Sequence, residues 1–118
     1  MPTSARSRPT ATTVAGGSPH ISDAGLEAAT DLLRALANPH RLALVTELKG
    51  GSRCVHELVE ALGVSQPLVS QHLRILRASH LVRAERRGRE IAYSLGDEHV
   101  LHIVHNAVLR ATERQLPG

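Results

Sequence analysis

Leu, Val and Ala recur every three or four residues from residue 23 onward, which is the spacing of amphipathic helices. The first predicted helix covers residues 23–37. Asn38 and Pro39 then provide an N-cap and a first-turn proline, so a second helix begins there and ends at the pair Gly50-Gly51. The pattern therefore predicts two helices joined by a short turn.

The next two predicted helices lie close together in the sequence. A short helix over residues 55–62 stops at Gly63, and a longer helix begins at Ser65, which is well placed as its N-cap. Pro67 is tolerated in the first turn of this second helix, which runs to about Ala78. Two short helices joined by a turn that contains Gly predict a helix-turn-helix.

A β-hairpin and a last helix are predicted after the helix-turn-helix. Residues 81–85 and 90–95 alternate with period two, and the basic segment Arg86-Arg87-Gly88-Arg89 separates them. The last helix is expected over residues 97–115. The order of elements predicts a mainly α fold with a small β-hairpin, which is a winged helix-turn-helix with an extra helix at each end.

The beginning of the chain has a different composition. Residues 1–22 are rich in Ser, Thr and Pro, and they carry too little apolar surface to offset the entropy lost on ordering. We expect a disordered tail there, followed by one folded domain over residues 23–116.

No apolar run approaches the roughly 18 residues that span a bilayer, and no apolar segment typical of a secretory signal follows the first arginines. The single cysteine, Cys54, gives no sign of an oxidising compartment. We therefore expect a cytoplasmic protein with no membrane partner.

Composition excludes several classes of function. The chain has no Trp, no Phe and one Tyr, so functions that need aromatic stacking, such as an RRM-like RNA platform or a sugar-binding cleft, are not expected. It has no Gly-rich phosphate loop and no Ser/His/Asp or Cys/His arrangement with supporting residues. We therefore do not expect an enzyme. A protein-interaction module is a competing class, and it would show no salt-dependent binding to DNA.

Basic residues are concentrated in the helix-turn-helix and the hairpin. Six Arg and one acid lie between residues 74 and 89, so this stretch carries about +5 of charge in a chain whose net charge is +3. Such a patch is typical of phosphate contact. The start of a recognition helix enters the major groove, where Gln, Ser and Arg can bond base edges. The predicted DNA-binding residues are Ser65, Gln66, Pro67, Ser70, Gln71, His72, Arg74, Arg86, Arg87 and Arg89. For His72, packing is the alternative to a phosphate contact.

Four segments together resemble the ArsR/SmtB family of bacterial metal-sensing repressors. They are LRALANPHRL (residues 33–42), CVHEL (54–58), VSQPLVSQHL (64–73) and GREIAYSL (88–95). The resemblance covers about residues 25 to 115. It implies a homodimer that binds operator DNA when it is free of metal and releases the DNA when metal binds.

A twofold dimer also follows from physical arguments. One winged helix-turn-helix makes few base contacts, and paired half-sites on a palindrome multiply them. The last predicted helix carries an apolar stripe that is too wide for a small monomer to cover. The stripe consists of Val100, Leu101, Ile103, Val104, Ala107, Val108 and Ala111.

Three of the eight His lie on the last helix. At 100° per residue, one face of the helix collects His99, His102, Asn106, Arg110 and Glu113, with His105 at its edge. Imidazoles and carboxylates suit zinc, and nickel and cobalt are the other candidates. In the family that the chain resembles, an interfacial site uses Asp-x-His near the start of this helix and ligands from the antiparallel partner helix. The resemblance makes Asp97, His99 and Glu113 candidate ligands.

One position departs from this family pattern. Arg110 occupies the place of a ligand, and a guanidinium cannot ligate a metal. His102 or His105 is a candidate substitute for the missing ligand. Alternatively, Arg110 pairs with Asp97 of the other copy and closes the site.

A second candidate metal site lies on the first helix of the helix-turn-helix. The family resemblance places a Cys-containing site there, and Cys54, His56 and Glu57 are the candidate ligands in this chain. The alternative is that Cys54 is a small packing residue.

These observations predict a sequence-specific DNA-binding transcriptional repressor that is released from its operator by zinc or a similar divalent metal, an effector rather than a catalytic cofactor. The alternative is a winged-helix repressor of the same family that senses no metal or a signal other than metal.

Overall fold

A computed structural model describes residues 20–115 of the chain. Most of the predicted tail, residues 1–19, and the last three residues lie outside this range. The chain divides into two compact units at the boundary between Asp31 and Leu32. Of the first unit, the structure describes residues 20–31, which are exposed and include the first half of the first helix.

The structure contains the predicted helices in the predicted order. They are α1 (Asp23–Leu36), α2 (Pro39–Glu47), a short 3-10 helix (Leu48–Gly50), α3 (Val55–Leu62), α4 (Gln66–Ala78) and α5 (Glu98–Gln115). Asn38 caps α2, because its Oδ1 accepts hydrogen bonds from the backbone N–H groups of His40 and Arg41 at 2.9 and 3.2 Å. The local capping signals in the sequence therefore correctly locate the start of this helix.

The sheet has three antiparallel strands, one more than the sequence predicts. The hairpin consists of β2 (Val82–Arg87) and β3 (Glu90–Leu95), and the additional strand β1 (Arg53–Cys54) pairs with β3 to give the order β1-β3-β2. The pairing of Arg87 with Glu90 leaves a two-residue turn in which Gly88 has a φ of 63°. Arg86 and Arg87, which we expected in the hairpin tip, therefore belong to β2.

The core of the second unit consists of aliphatic side chains. Residues of α2, α3, α4, β2 and α5 meet in it, and the fully buried ones include Leu44, Val45, Leu58, Val69, Leu73, Leu76, Leu81, Val82 and Val104. With no Trp or Phe in the chain, many medium-sized side chains share the burial that a few rings would otherwise provide. Within residues 20–115, no helix has the length and apolar character that crossing a membrane requires.

The hairpin is attached to the end of α4 through backbone contacts. His80 has a φ of 60°, and the backbone N–H of Leu81 donates to the carbonyl of Leu76 at 2.9 Å. The backbone N–H of Gly96, just after β3, donates to the carbonyl of Leu81 at 2.9 Å. A Cβ at Gly96 would lie 2.4 Å from the carbonyl oxygen of His80, so the backbone approach at this position requires glycine.

We expect Gly96→Ala to lower the free energy of unfolding by about 1–3 kcal/mol, because the new methyl group must push the two backbone segments apart. Gly50→Ala is the matched control, since a Cβ there meets no atom within 4 Å. Urea denaturation of the two variants and the wild type measures the effect. Equal stability of the two variants would contradict the steric argument.

Candidate nucleic-acid interface and metal-ligand candidates

The start of α4 is fixed by signals on both sides of the turn. Gly63 ends α3 in the left-handed region with a φ of 70°, and its backbone N–H donates to the carbonyl of Val59 at 2.8 Å. Ser65 then caps α4, because its Oγ accepts a hydrogen bond from the backbone N–H of Leu68 at 3.4 Å. The turn between the two helices is thus specified by local sequence.

The two faces of α4 have different chemistry. Val69, Leu73 and Leu76 are buried in the core, and they hold the helix by one face. The polar side chains near the N-terminus lie on the other side: Ser65, Gln66, Gln71 and Arg74 are exposed, as is Pro67, and Ser70 is half-buried. The exposed groups can donate to and accept hydrogen bonds from base edges or phosphates. The structure therefore places these predicted DNA-binding residues on one accessible surface.

The hairpin adds a dense positive charge. Arg83, Arg86, Arg87 and Arg89 are all exposed. A salt bridge of 3.6 Å joins Arg87 Nη2 to Glu85 Oε1, the one acid of the basic stretch. We call the exposed arginines of α4 and the hairpin together the basic surface; they are Arg74, Arg77, Arg83, Arg86, Arg87 and Arg89.

His72 differs from the other predicted DNA-binding residues because it lies on the inner side of α4. Its side chain is buried, with 7% exposure, and its Nδ1 lies 3.2 Å from Nη1 of Arg41 on α2. Its ring also packs at a tilt against the ring of His40, with 5.3 Å between centroids. The structure thus favours packing over phosphate contact for His72.

The candidate ligands of α5 are exposed, but they are spread along the helix. Asp97 caps α5, since its Oδ1 accepts hydrogen bonds from the backbone N–H groups of His99 and Val100 at 2.8 and 3.3 Å. Glu113 lies 16 residues further on, which is about 24 Å along a helix axis. Asp97, His99 and Glu113 of one chain therefore cannot hold the same ion. In agreement with this, residues 20–115 contain no group of three His, Cys, Asp or Glu side chains that could hold a metal.

Arg110, the position that departs from the family pattern, is also far from its candidate partner along α5. Arg110, His102 and His105 are exposed on α5. Arg110 lies 13 residues after Asp97, or about 20 Å along the helix, so the two cannot pair within one chain. Both the metal site and the alternative ion pair would require a second copy of the chain.

The second candidate site is shaped by Glu90 of β3, a residue that the sequence analysis did not single out. Hydrogen bonding to Glu90, then burial and the charges of Glu90 and Glu57, raise the pKa of the Cys54 thiol. Glu57 Oε1 accepts a hydrogen bond from the backbone N–H of Cys54 at 2.8 Å, and His56 Nδ1 lies 3.8 Å from Glu90 Oε1. A metal ligand must be a thiolate, and these contacts favour the thiol. In the described residues of the single chain, Cys54, His56 and Glu57 do not form a group that could hold a metal ion.

An apolar cavity of about 200 Å³ lies between the end of α1, α2 and α5. Its lining consists of Leu33, Leu36, Ala37, Leu42, Ile103, Val104 and Ala107. Leu33 is about half exposed although it lines the cavity, and Val108, which follows Ala107 on α5, is also about half exposed. The cavity lining is therefore an apolar surface in contact with water.

Arg41 is the other residue that the sequence analysis missed. It appears in the family-like segment at residues 33–42, but a single Arg at the start of a helix gives no sign of its partner, which lies 31 residues further along the chain. Glu90 was missed for the same reason, because only the pairing of β1 with β3 brings it near Cys54.

Comparison with known proteins identifies related sequences. Residues 38–84 match the model of a family described as bacterial regulatory protein, arsR family. The chain is 59% identical over 88 residues to the HTH-type transcriptional repressor SmtB of Mycobacterium tuberculosis. That match covers 75% of this chain and 65% of the length of SmtB.

Two further proteins are similar over more of their length. The HTH-type transcriptional regulator NmtR of Mycobacterium tuberculosis is 40% identical over 111 residues, which are 94% of this chain and 86% of NmtR. A solved structure of the homodimeric winged helix-turn-helix DNA-binding domain Mb0332 from Mycobacterium bovis superposes with a TM-score of 0.72 at 30% identity. It covers 80% of this chain and 91% of that one.

We expect Glu90→Gln to lower the pKa of the Cys54 thiol, because the substitution removes the group that raises it most. More thiolate would then be present near neutral pH, and alkylation by iodoacetamide would be faster than in the wild type. Glu60→Gln is the control, because Glu60 is an exposed carboxylate of α3 that is not among the groups that shift the pKa of Cys54. The pH dependence of the alkylation rate measures the shift, and an unchanged profile in Glu90→Gln would show that Glu90 does not control the thiol.

Proposed function

This chain belongs to the arsR family of bacterial regulatory proteins, and on that premise we propose that it is a sequence-specific, DNA-binding transcriptional repressor. The observation that supports the proposal is the basic surface beside the exposed polar start of α4. A capped recognition helix with Gln66, Gln71 and Arg74 on its accessible side can read base edges in the major groove. The arginines of the hairpin would neutralise phosphates next to it.

The proposed active form is a homodimer in the cytoplasm. A single domain offers one recognition helix, and a twofold pair would place two helices on successive major grooves of a palindrome. The apolar cavity between the end of α1, α2 and α5, with half-exposed Leu33 in its lining and half-exposed Val108 next to it on α5, supports a second copy as the occupant. The homodimeric Mb0332 domain has the same fold.

We further propose that a divalent metal, with zinc as the first candidate, releases the repressor from DNA. In an antiparallel pair of α5 helices, Asp97 and His99 of one copy would approach Glu113 of the other, although they lie far apart within one chain. His102 or His105 would supply the remaining ligand. Bound metal would favour one arrangement of the two α5 helices, and a metal that binds better to the DNA-free arrangement must weaken DNA binding.

Arg110 supports a second candidate function, which is a repressor of this family that senses no metal or another signal. In the same antiparallel arrangement, the exposed guanidinium of Arg110 would approach Asp97 of the second copy. An ion pair there would occupy the carboxylate and place a positive charge where a metal ion would bind. Equilibrium dialysis of the dimer against zinc distinguishes the two candidates by the presence or absence of tightly bound metal.

We expect the logarithm of the operator binding constant to fall steeply with the logarithm of salt concentration. Arg86→Ala and Arg89→Ala should each reduce the magnitude of that slope by roughly 1, because each removes one phosphate contact. The operator would be a duplex selected from a random library on the wild-type protein, and fluorescence anisotropy would measure binding. Lys49→Ala is the control, since it removes an exposed charge on the short 3-10 helix, outside the basic surface. Salt-independent binding, or equal slopes for all variants, would contradict the proposed interface.

We expect zinc to lower operator affinity by about 5–150-fold in the wild type, the usual size of an allosteric coupling. His99→Ala should lose most of this response, because His99 is a proposed ligand with no burial to disturb. His56→Ala should keep it, and loss of the response in His56→Ala alone would point to the site near Cys54 instead. If zinc leaves wild-type affinity unchanged while the dimer stays intact, metal-induced release is wrong and DNA binding is unaffected.

A further inference from the structure

His72 is the one buried polar or charged side chain among residues 20–115. It lies on the recognition helix, three residues after Val69 and next to Leu73, where an apolar residue would continue the core. A buried imidazole needs a hydrogen-bonding partner to offset its loss of hydration. The structure provides that partner in Arg41.

The hydrogen bond between these side chains has a defined direction. A guanidinium carries only donors, so Nη1 of Arg41 donates and Nδ1 of His72 accepts, at 3.2 Å. The proton of a neutral imidazole must then be on Nε2. A doubly protonated imidazole could not accept, and its positive charge would face the positive charge of Arg41.

The other end of the same guanidinium is also engaged. Nε of Arg41 donates to the carbonyl oxygen of Ala35 at 2.5 Å. Ala35 lies in the last turn of α1, where carbonyl groups have no partner within the helix. The backbone of Arg41 is itself held at the start of α2 by the cap from Asn38. One planar group thus connects the end of α1 and the start of α2 to the recognition helix.

We propose that Arg41 is a positioning residue for DNA recognition, whose guanidinium holds the recognition helix to the last turn of α1 through Nδ1 of a neutral His72. The proposal rests on the proposed function, because it assigns the orientation of α4 on DNA to this link. Ala35 and Arg41 lie in the sequence next to Leu36, Ala37 and Leu42 of the apolar cavity, which belong to the proposed dimer face. In the proposed dimer, the helices of the dimer face would set the distance between the two half-sites. The link therefore connects two of these helices, α1 and α2, with α4, the helix that reads each half-site.

The electrostatic surroundings of His72 agree with a neutral ring. Burial first, and then the positive charges of Arg41 and His40, lower the pKa of His72 below its ordinary value. In the described part of the chain, the charged and titratable groups that act on the ring are these two, both from α2. Because the folded protein disfavours protonation, the link is complete at and above neutral pH, and it is lost as the pH falls through the lowered pKa.

The first test compares operator binding of variants at pH 7.5, with a duplex selected on the wild-type protein. Arg41→Lys keeps the charge but cannot donate in two fixed directions, and we expect about tenfold weaker binding with an intact fold and dimer. Arg53→Lys, at an arginine of β1 that pairs with Glu47 at 3.8 Å, should bind like the wild type. Wild-type affinity in Arg41→Lys would overturn the proposal.

The second test uses the conservative variant at position 72. In His72→Asn the side-chain oxygen lies near the place of Nδ1 and can accept from Arg41, but it cannot be protonated. We expect near-wild-type binding at pH 7.5, because this variant keeps the link to Arg41. His72→Leu, which has no acceptor, should bind weakly at the same pH. As the pH is lowered through the pKa of His72, located by NMR titration of the wild type, the wild type should lose more affinity than His72→Asn. Wild-type affinity in His72→Leu at pH 7.5, or identical profiles of the wild type and His72→Asn across that pKa, would overturn the proposal.

A third measurement distinguishes failure of the link between Arg41 and His72 from failure of the proposed DNA-binding function. Nitrogen-15 NMR of the imidazole rings reports whether Nδ1 or Nε2 of His72 carries the proton, with or without DNA. We expect Nε2–H in the wild type, and a population of the other tautomer in Arg41→Ala. Nε2–H in a protein that binds no duplex would refute the proposed function and leave the link in place. Nδ1–H in a protein that binds DNA would refute the link alone.

Discussion

The recognition helix α4 must be held firmly by one face while the opposite face stays free, and the rest of the structure depends on that constraint. Val69, Leu73 and Leu76 secure the inner face against an aliphatic core to which α2, α3, β2 and α5 contribute. Without Trp or Phe, the orientation of the helix rests on many medium-sized contacts rather than on one large anchor. A directed hydrogen bond from Arg41 to His72 adds an angular preference that aliphatic contacts alone supply weakly.

The helices could be predicted from sequence because their limits are set locally. Asn38, Gly63 and Ser65 act within three or four residues of their own positions, and each does what its residue type indicates. The strand β1 could not be predicted, since its two residues pair with β3 nearly 40 positions later. The inward position of His72 was available from helical spacing, which groups it with Val69, Leu73 and Leu76, but its polar character suggested the DNA side. The identity of its partner required the fold.

The ligand candidates on α5 show why a chain of this size would regulate DNA binding only as an assembly. About 24 Å of helix separates Asp97 from Glu113, so neither a metal site nor an ion pair with Arg110 can form until two copies meet. The helix α5 would therefore both bind the effector and form the dimer contact. In the proposed dimer, any group that changes the crossing of the two α5 helices would act on the spacing of the recognition helices.

The pairing of β1 with β3 has a consequence for how new operators could evolve. The strand joins the middle of β3 to the start of α3 through backbone hydrogen bonds, which do not depend on which side chains are present. The exposed residues of α4 and of the hairpin are thus free to change without disturbing the frame that carries them. Descendants of one ancestral gene could diverge in the sequence they read while retaining a common scaffold, and the interchangeable part of the molecule would be its outer layer of side chains.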